Sequence, residues 1–182
     1  MIRSPSIPLL CILFAAVLAG CRSASPAPAE TEKSQMTLNV TSPAFGEGGT
    51  IPVEYTCDDR DLSPQLDWTS VPQGTQSLAL IADDPDAPVG TWVHWVLFDL
   101  PPDLTSLPEG VSGTGTQGTN SSKKLTYGGP CPPKGSPHRY YFKLYALDTL
   151  LNLEEGASKS ELEKAMQGHI LAQGQLMGKY GR

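Results

Sequence analysis

Positive charge is scarce in this chain: 13 Lys and Arg stand against 19 Asp and Glu, a formal net charge of −6. A surface of that sign does not attract nucleic acid or anionic headgroups at large, so no nucleic-acid partner is expected. Any anion site must be a local pocket working against the global field. Long apolar runs are scarce too. The N-terminal stretch Ile7–Leu18 is shorter than the about 20 residues that a membrane-spanning helix needs. Neither a G-x-S-x-G nor an H-E-x-x-H pattern occurs, so two familiar hydrolase signatures are missing. Histidine is limited to His94, His138 and His169, and cysteine to Cys11, Cys21, Cys57 and Cys131. No internal repeat and no sign of a second domain is visible.

What is present begins at the N-terminus. Leu18-Ala19-Gly20-Cys21 closes the apolar stretch with two small residues before a cysteine, and Arg3 is the only charge before position 22. This is the pattern of a bacterial lipoprotein signal peptide, residues 1–20, cleaved before Cys21, whose thiol then carries a lipid. A transmembrane anchor or a plain secretory signal is the alternative, but a plain signal does not need cysteine at the cleavage point. Arg22, in place of an Asp, follows the cysteine, which resembles outer-membrane lipoproteins of Gram-negative cells. In a Gram-positive cell the same signal means the outer face of the plasma membrane. The expected location is therefore the cell envelope, lipid-anchored, facing the periplasm in a Gram-negative cell.

Residues 21–35 are rich in Pro, Ala, Ser and Glu and read as a flexible tether from lipid to domain, with residues 36–182 as the single domain. Without the signal, 12 basic side chains face 19 acidic ones, a net of −7. Cys11 leaves with the signal and Cys21 is lipidated, so Cys57 and Cys131 remain as one pair in an oxidising compartment. A disulfide is the natural inference, worth roughly 4 kcal/mol on the chain-entropy view of so long a loop. Two buried free thiols are the alternative.

Pro and Gly punctuate short strand-like runs. Candidate strands are Thr37–Thr41, Ile51–Tyr55, Gln65–Thr69, Ser77–Ala82, Trp92–Leu100 and Arg139–Leu147. Trp92–Leu100 is apolar at nearly every position and predicts a central strand covered on both faces. One helix is expected: Ser160 and Glu163 form a capping box, and Leu162, Ala165, Met166 and Ile170 fall on one stripe that Gly168 weakens. Residues 111–126 make a long polar loop of the kind that is often functional or mobile. The pattern is mainly β with one or two late helices, a sandwich or Greek key.

Two clusters carry candidate chemistry. In Asp83-Asp84-Pro85-Asp86-Ala87-Pro88, acids end an apolar strand beside two prolines; they are either an oriented set or an ordinary turn. His94 follows in the most apolar strand, where an imidazole needs a partner, functional or merely a backbone carbonyl. The second cluster, Tyr127 to Tyr140, is a Pro/Gly loop that delivers His138, Arg139 and Tyr140 into a strand. Alternation puts His138 and Tyr140 on one face and Arg139 on the other, where it is available to pair with an acid such as Asp86.

DPDAP, the later WVHW and GPCPPKGSPHRYYFKLYALD together resemble the phosphatidylethanolamine-binding protein family in its bacterial Raf-kinase-inhibitor-like branch. EYTCDDRDLSPQLDW and GHILAQGQLMGKYGR fit the same branch, so the likeness runs from about Met36 to Tyr180. The resemblance implies a β-sandwich with a Greek-key central sheet, a smaller second sheet and peripheral helices. It also implies a small anion pocket for phosphate-like groups, including the phosphorylethanolamine head. Carried over residue by residue, the pocket acid falls on Asp84 with Asp86 in the same loop. The strand residues fall on Trp92 and His94, the wall on Pro132 and Pro133, and the second histidine and tyrosine on His138 and Tyr140. Val93 stands where eukaryotic members often have a second histidine, and Cys131 enters the proline loop, so a Cys57–Cys131 bond would staple the pocket wall.

Two imidazoles, a phenol and loop N–H groups suit a phosphate. A bare carboxylate would repel it, so Asp84 is expected to orient or charge a histidine, and anion binding to weaken above roughly pH 7. The expectation is a non-enzymatic module with no cofactor and no metal. Its partners would be a phosphate-like or carboxylate small molecule, the membrane through the Cys21 lipid, and an envelope protein. The alternatives are an inhibitor of an envelope serine protease acting through loop 111–126, a hydrolase or metal site on Asp84, His94 and His138, and a purely structural domain.

Overall fold

The computed structural model describes residues 36–182. The expected signal segment with Cys11, the expected lipidation residue Cys21 and the expected 21–35 tether lie outside the described residues. Among the described residues, nine strands and one α-helix follow in chain order. They are β1 (Met36–Thr37), β2 (Asn39–Thr41), β3 (Leu66–Thr69), β4 (Ser77–Asp84), β5 (Trp92–Leu100), β6 (Ser106–Leu107), β7 (Thr116–Gln117), β8 (His138–Leu147), α1 (Lys159–Met166) and β9 (Ile170–Tyr180). A six-stranded sheet runs β1-β9-β8-β4-β5-β7 and a three-stranded sheet runs β2-β3-β6. All pairings are antiparallel except β1 with β9, so the large sheet is mixed. The mainly β fold with a larger and a smaller sheet agrees with the expected class.

Strand alternation explains the two cores. On β4, Leu78, Leu80 and Ala82 face the small sheet and join Trp95, Leu97, Phe142, Leu144, Val40, Leu66, Trp68 and Leu107 in one cluster. Ala79 and Ile81 point the other way and join Val96, Phe98, Leu162 and Met166 under α1. Every residue of β4 is buried, because the strand is covered on both faces. At its end the alternation separates two adjacent acids. Asp83 turns toward the helix side, where Lys143 Nζ and Lys159 Nζ donate to its Oδ2 at 2.9 and 2.6 Å. Asp84 turns toward the inter-sheet side.

The structure corrects several expectations about elements. Ile51–Tyr55 is no strand: Val53–Tyr55 forms a 3₁₀ turn after Pro52, whose ring presets the backbone and cannot donate to a ladder. Thr37–Thr41 divides at Leu38 between the two sheets. The helix cap is Ser158, not Ser160: Ser158 Oγ accepts from Glu161 N, and the Glu161 carboxylate accepts from Ser158 N. Ile170 belongs to β9, because the chain leaves the helix at Gln167 and turns at Gly168 with φ of 81°. That C-terminal strand, the longest in the fold, pairs with β8 over its full length.

Candidate functional site

The inter-sheet core opens at one end of β4, β5 and β8 into a cavity of about 710 Å³. Asp84, Trp92, His94, Pro132, Pro133 and His138 all line it, so six residues proposed from sequence meet at one place. Asp86 and Tyr140 are not lining residues and act from behind.

Each lining group is held for a local reason. Asp84 is 3 % exposed. Its Oδ1 accepts from Asp86 N at 2.8 Å, an Asx-type turn, and its Oδ2 lies 2.8 Å from His138 Nδ1. Both oxygens are therefore engaged, and the carboxylate orients a histidine as expected. His138 is the first residue of β8 and shares its inward face with Tyr140, Phe142 and Leu144. Arg139 projects to the other face and grips Asp86: its Nε donates to Oδ2 at 2.9 Å, its Nη2 to Oδ1 at 2.6 Å, and its backbone N to Oδ2 at 2.9 Å. That fork ties the Asp/Pro loop to β8 and holds the Asp86 carboxyl down at about 2.

His94 reaches the cavity through an irregularity in the ladder. Regular alternation on β5 would place it beside Val96 and Phe98, under the helix. Instead the β4–β5 register shifts between Ala82↔Trp95 and Asp83↔Val93, so His94 is the extra residue of a β-bulge. The bulge leaves Val93 on the helix side and turns His94 to the side of Trp92 and Tyr140. There its Nδ1 donates to the Gly128 carbonyl at 2.6 Å. Burial outweighs that bond and the Asp84 and Asp83 charges, and lowers the His94 pKa below its ordinary value. Of the two imidazoles expected to suit a phosphate, His94 is thus the one that burial biases away from the cation, and its Nδ1 proton is committed to Gly128. Tyr140 is 3 % exposed. It packs edge-on to His94 at 5.3 Å and stacks beside His138 at 6.5 Å between ring centroids, and desolvation pushes its phenol well up. It supports both imidazoles from behind.

The outer wall comes from three loops. Cys57 and Cys131 form a disulfide with Cα atoms 5.4 Å apart, and both line the cavity. Tyr127 Oη donates to the Tyr55 carbonyl at 2.9 Å, and Cys57 N donates to Pro130 O at 3.2 Å. Gly129 N donates to Asp61 Oδ1 at 2.6 Å, and a Cβ at Gly129 would collide with the Tyr55 carbonyl. Arg182 closes the outside of this wall: it donates to the Asp58 carboxylate, to Pro132 O and to Cys57 Sγ.

Sequence reasoning missed the third wall. Loop 111–126, expected to be a functional or mobile loop and, in the inhibitor alternative, the place of protein contacts, lines the cavity at its last turn with Asn120, Ser122, Lys124 and Thr126. Asn120 organises that turn: its Oδ1 accepts from Ser122 N at 2.9 Å and Lys124 N at 3.0 Å, while Nδ2 donates to Thr126 O at 2.9 Å. Lys124 thus puts a basic residue among the cavity lining of an acidic protein. An Asn-Ser-Ser-Lys-Lys stretch was the available signal, since Asn favours such self-bonded turns. His169 lies elsewhere, paired with Asp148 at 2.8 Å.

In chemical terms the site is a concave, half-apolar recess with one histidine–carboxylate pair, one buried imidazole bonded to a backbone carbonyl and one lysine. That defines a small-molecule binding cavity set at the open end of a two-sheet β fold. The comparisons agree with this class. The phosphatidylethanolamine-binding protein family model matches residues 41–181, and the chain belongs to that family. A UPF0098 protein of Methanothermobacter thermautotrophicus is 52 % identical over 151 residues, covering 80 % of this chain and 99 % of that one. A second UPF0098 protein, from Aquifex aeolicus, is 47 % identical over 154 residues, covering 80 % and 89 %. Relatives thus include archaeal chains. Among solved structures, a phosphatidylethanolamine-binding protein homologue from Chlamydia trachomatis superposes with a TM-score of 0.77 at 42 % identity, covering 80 % of this chain and 98 % of that one. YbcL of E. coli, described as a member of the mammalian family, superposes at 0.74 with 30 % identity and the same coverage.

Proposed function

We propose that this chain is a lipid-anchored, extracytoplasmic binding module of the Raf-kinase-inhibitor-like branch, whose cavity takes a phosphate-like or carboxylate group such as that of phosphorylethanolamine. The observation that carries the reading is the His138–Asp84 pair at 2.8 Å on the same cavity as Lys124. A carboxylate that holds an imidazole by Nδ1 leaves Nε2 to meet a ligand, and in the protonated ring that nitrogen donates. Lys124 adds a second donor where the protein's overall charge would otherwise repel an anion. Asp84, Trp92, His94, Pro132, Pro133 and His138 form the contact set, with Asp86 and Tyr140 supporting them. Binding is favoured over hydrolysis because, among the described residues, neither His94 nor His138 bonds a serine, threonine or cysteine side chain that it would activate. Anchoring rests on the Leu18–Cys21 pattern alone.

The test is an NMR titration of the full-length protein with phosphorylethanolamine and inorganic phosphate at about pH 6, where imidazole is partly charged. Saturable shifts at His138 and His94 with none at His169 are expected. Shifts of equal size at all three, or none at His94 and His138, would refute the anion reading.

A further inference from the structure

His94 places a demand on its ligand that a bare anion does not meet. Its Nδ1 is committed as a donor to Gly128 O at 2.6 Å, so in the neutral ring Nε2 carries a lone pair and no proton. Nε2 is buried and no protein group hydrogen-bonds to it, although His94 lines the cavity. An acceptor buried in that way calls for a donor. The titratable groups around it are Asp84 and Asp83 of β4, and Tyr140 of β8 with His138 beyond. The carboxylates favour a charged His94 and burial disfavours it, with burial the larger effect. The same cavity is lined by Lys124 and by His138, whose Nδ1 is held by Asp84. Groups that can give a proton and one that asks for a proton therefore share the lining.

We propose that the cavity selects an oxyanion that still carries one proton, the monoanion of a phosphomonoester in particular, with its P–O–H donating to His94 Nε2 and its other oxygens accepting from Lys124 and His138. This rests on the anion reading above and narrows it. A phosphodiester has the same single negative charge but no proton to give, so the two classes differ in whether they can satisfy His94 Nε2. The group is carried either by a soluble metabolite or by a monoester lipid head.

Methyl phosphate and dimethyl phosphate separate the cases, and neither has an ammonium that would satisfy Nε2 instead. At about pH 5 both are monoanions, because the second ionisation of a phosphomonoester lies near 6. Titrated into the full-length protein and followed by NMR or calorimetry, methyl phosphate is expected to bind at least about tenfold more tightly, the worth of one buried hydrogen bond. The advantage should shrink as pH rises to about 8 and methyl phosphate loses its proton. Lys124 attracts both monoanions alike, so the ratio of their affinities reads the donated proton and not the charge. In a folded His94→Phe protein the ratio of the two affinities should fall to about one.

Equal affinities at low pH, or a ratio that grows with pH, would overturn the proposal and leave the anion site standing. Binding of neither ligand would sink both readings together. Vesicles assign the source: retention on phosphatidic acid that methyl phosphate releases places the group on a lipid, and no retention with methyl phosphate still bound places it on a soluble molecule. Retention on phosphatidylethanolamine alone would contradict the selection.

Discussion

At the scale of single residues, two side chains report how the site is charged. Burial biases His94 toward the neutral form, with its pKa lowered from 6.5. Between the lowered folded value and 6.5, the unfolded chain takes up a proton that the folded one refuses. Stability therefore falls as pH drops through that window and this contribution levels off below the folded pKa. Urea unfolding between pH 7 and 5 should show that slope in the native protein and lose part of it in His94→Gln; an unchanged slope would argue against a neutral His94. Asp86 offers the opposite case. Its carboxyl sits at about 2 because Arg139 grips it, so Arg139→Ala should return the midpoint toward 3.8 in a carboxyl-carbon NMR titration. The same change should loosen the Asp/Pro loop and broaden the His138 signal, because Asp84 and Asp86 share one turn.

Among the elements, the β5 bulge and the Asn120 turn do most to build the cavity. The bulge is a strand feature whose only visible trace is a polar residue in an apolar run, and His94 was noticed for that reason. The turn left a fainter trace. Asn120 is 3 % exposed and satisfies three backbone groups around it. Asn120→Ala should cost about 1–3 kcal/mol in chemical denaturation, since it strands buried polar groups. It should also weaken phosphate binding by displacing Lys124 and Ser122; a loss of stability with binding intact would remove the turn from the site.

At the scale of the whole molecule, the cavity wall is a composite of distant segments stapled together. Cys57 and Cys131 join the turn after Tyr55 to the proline loop, and the bond spans a sequence separation of 74. Reduction, or Cys131→Ser, should lower unfolding stability by roughly 4 kcal/mol on the chain-entropy view. Arg182, Asp61 and Tyr127 also tie the wall, so the reduced protein should remain folded with a looser cavity and weaker phosphate binding. Denaturation and titration of oxidised and reduced samples side by side check both statements.

Local chemistry alone placed the strong strands, the single helix, the separation of Arg139 from His138 and the cysteine pairing. Those depend on period-two patterning, an apolar helical stripe and counting, all of which are written along the chain, whereas the capping pair was misplaced by two residues. Asp84 as the partner of a histidine was also legible, because a carboxylate beside an anion needs a cation. What only the tertiary structure decided concerns registry and depth. A one-residue bulge chose the face of His94, and burial set its charge. Pairing with β8 made the glycine-rich C-terminal segment the longest strand, and Asn120 folded a polar loop into the cavity. Each of these rests on contacts between residues far apart in sequence, where solvent exclusion and ladder geometry outweigh local preference.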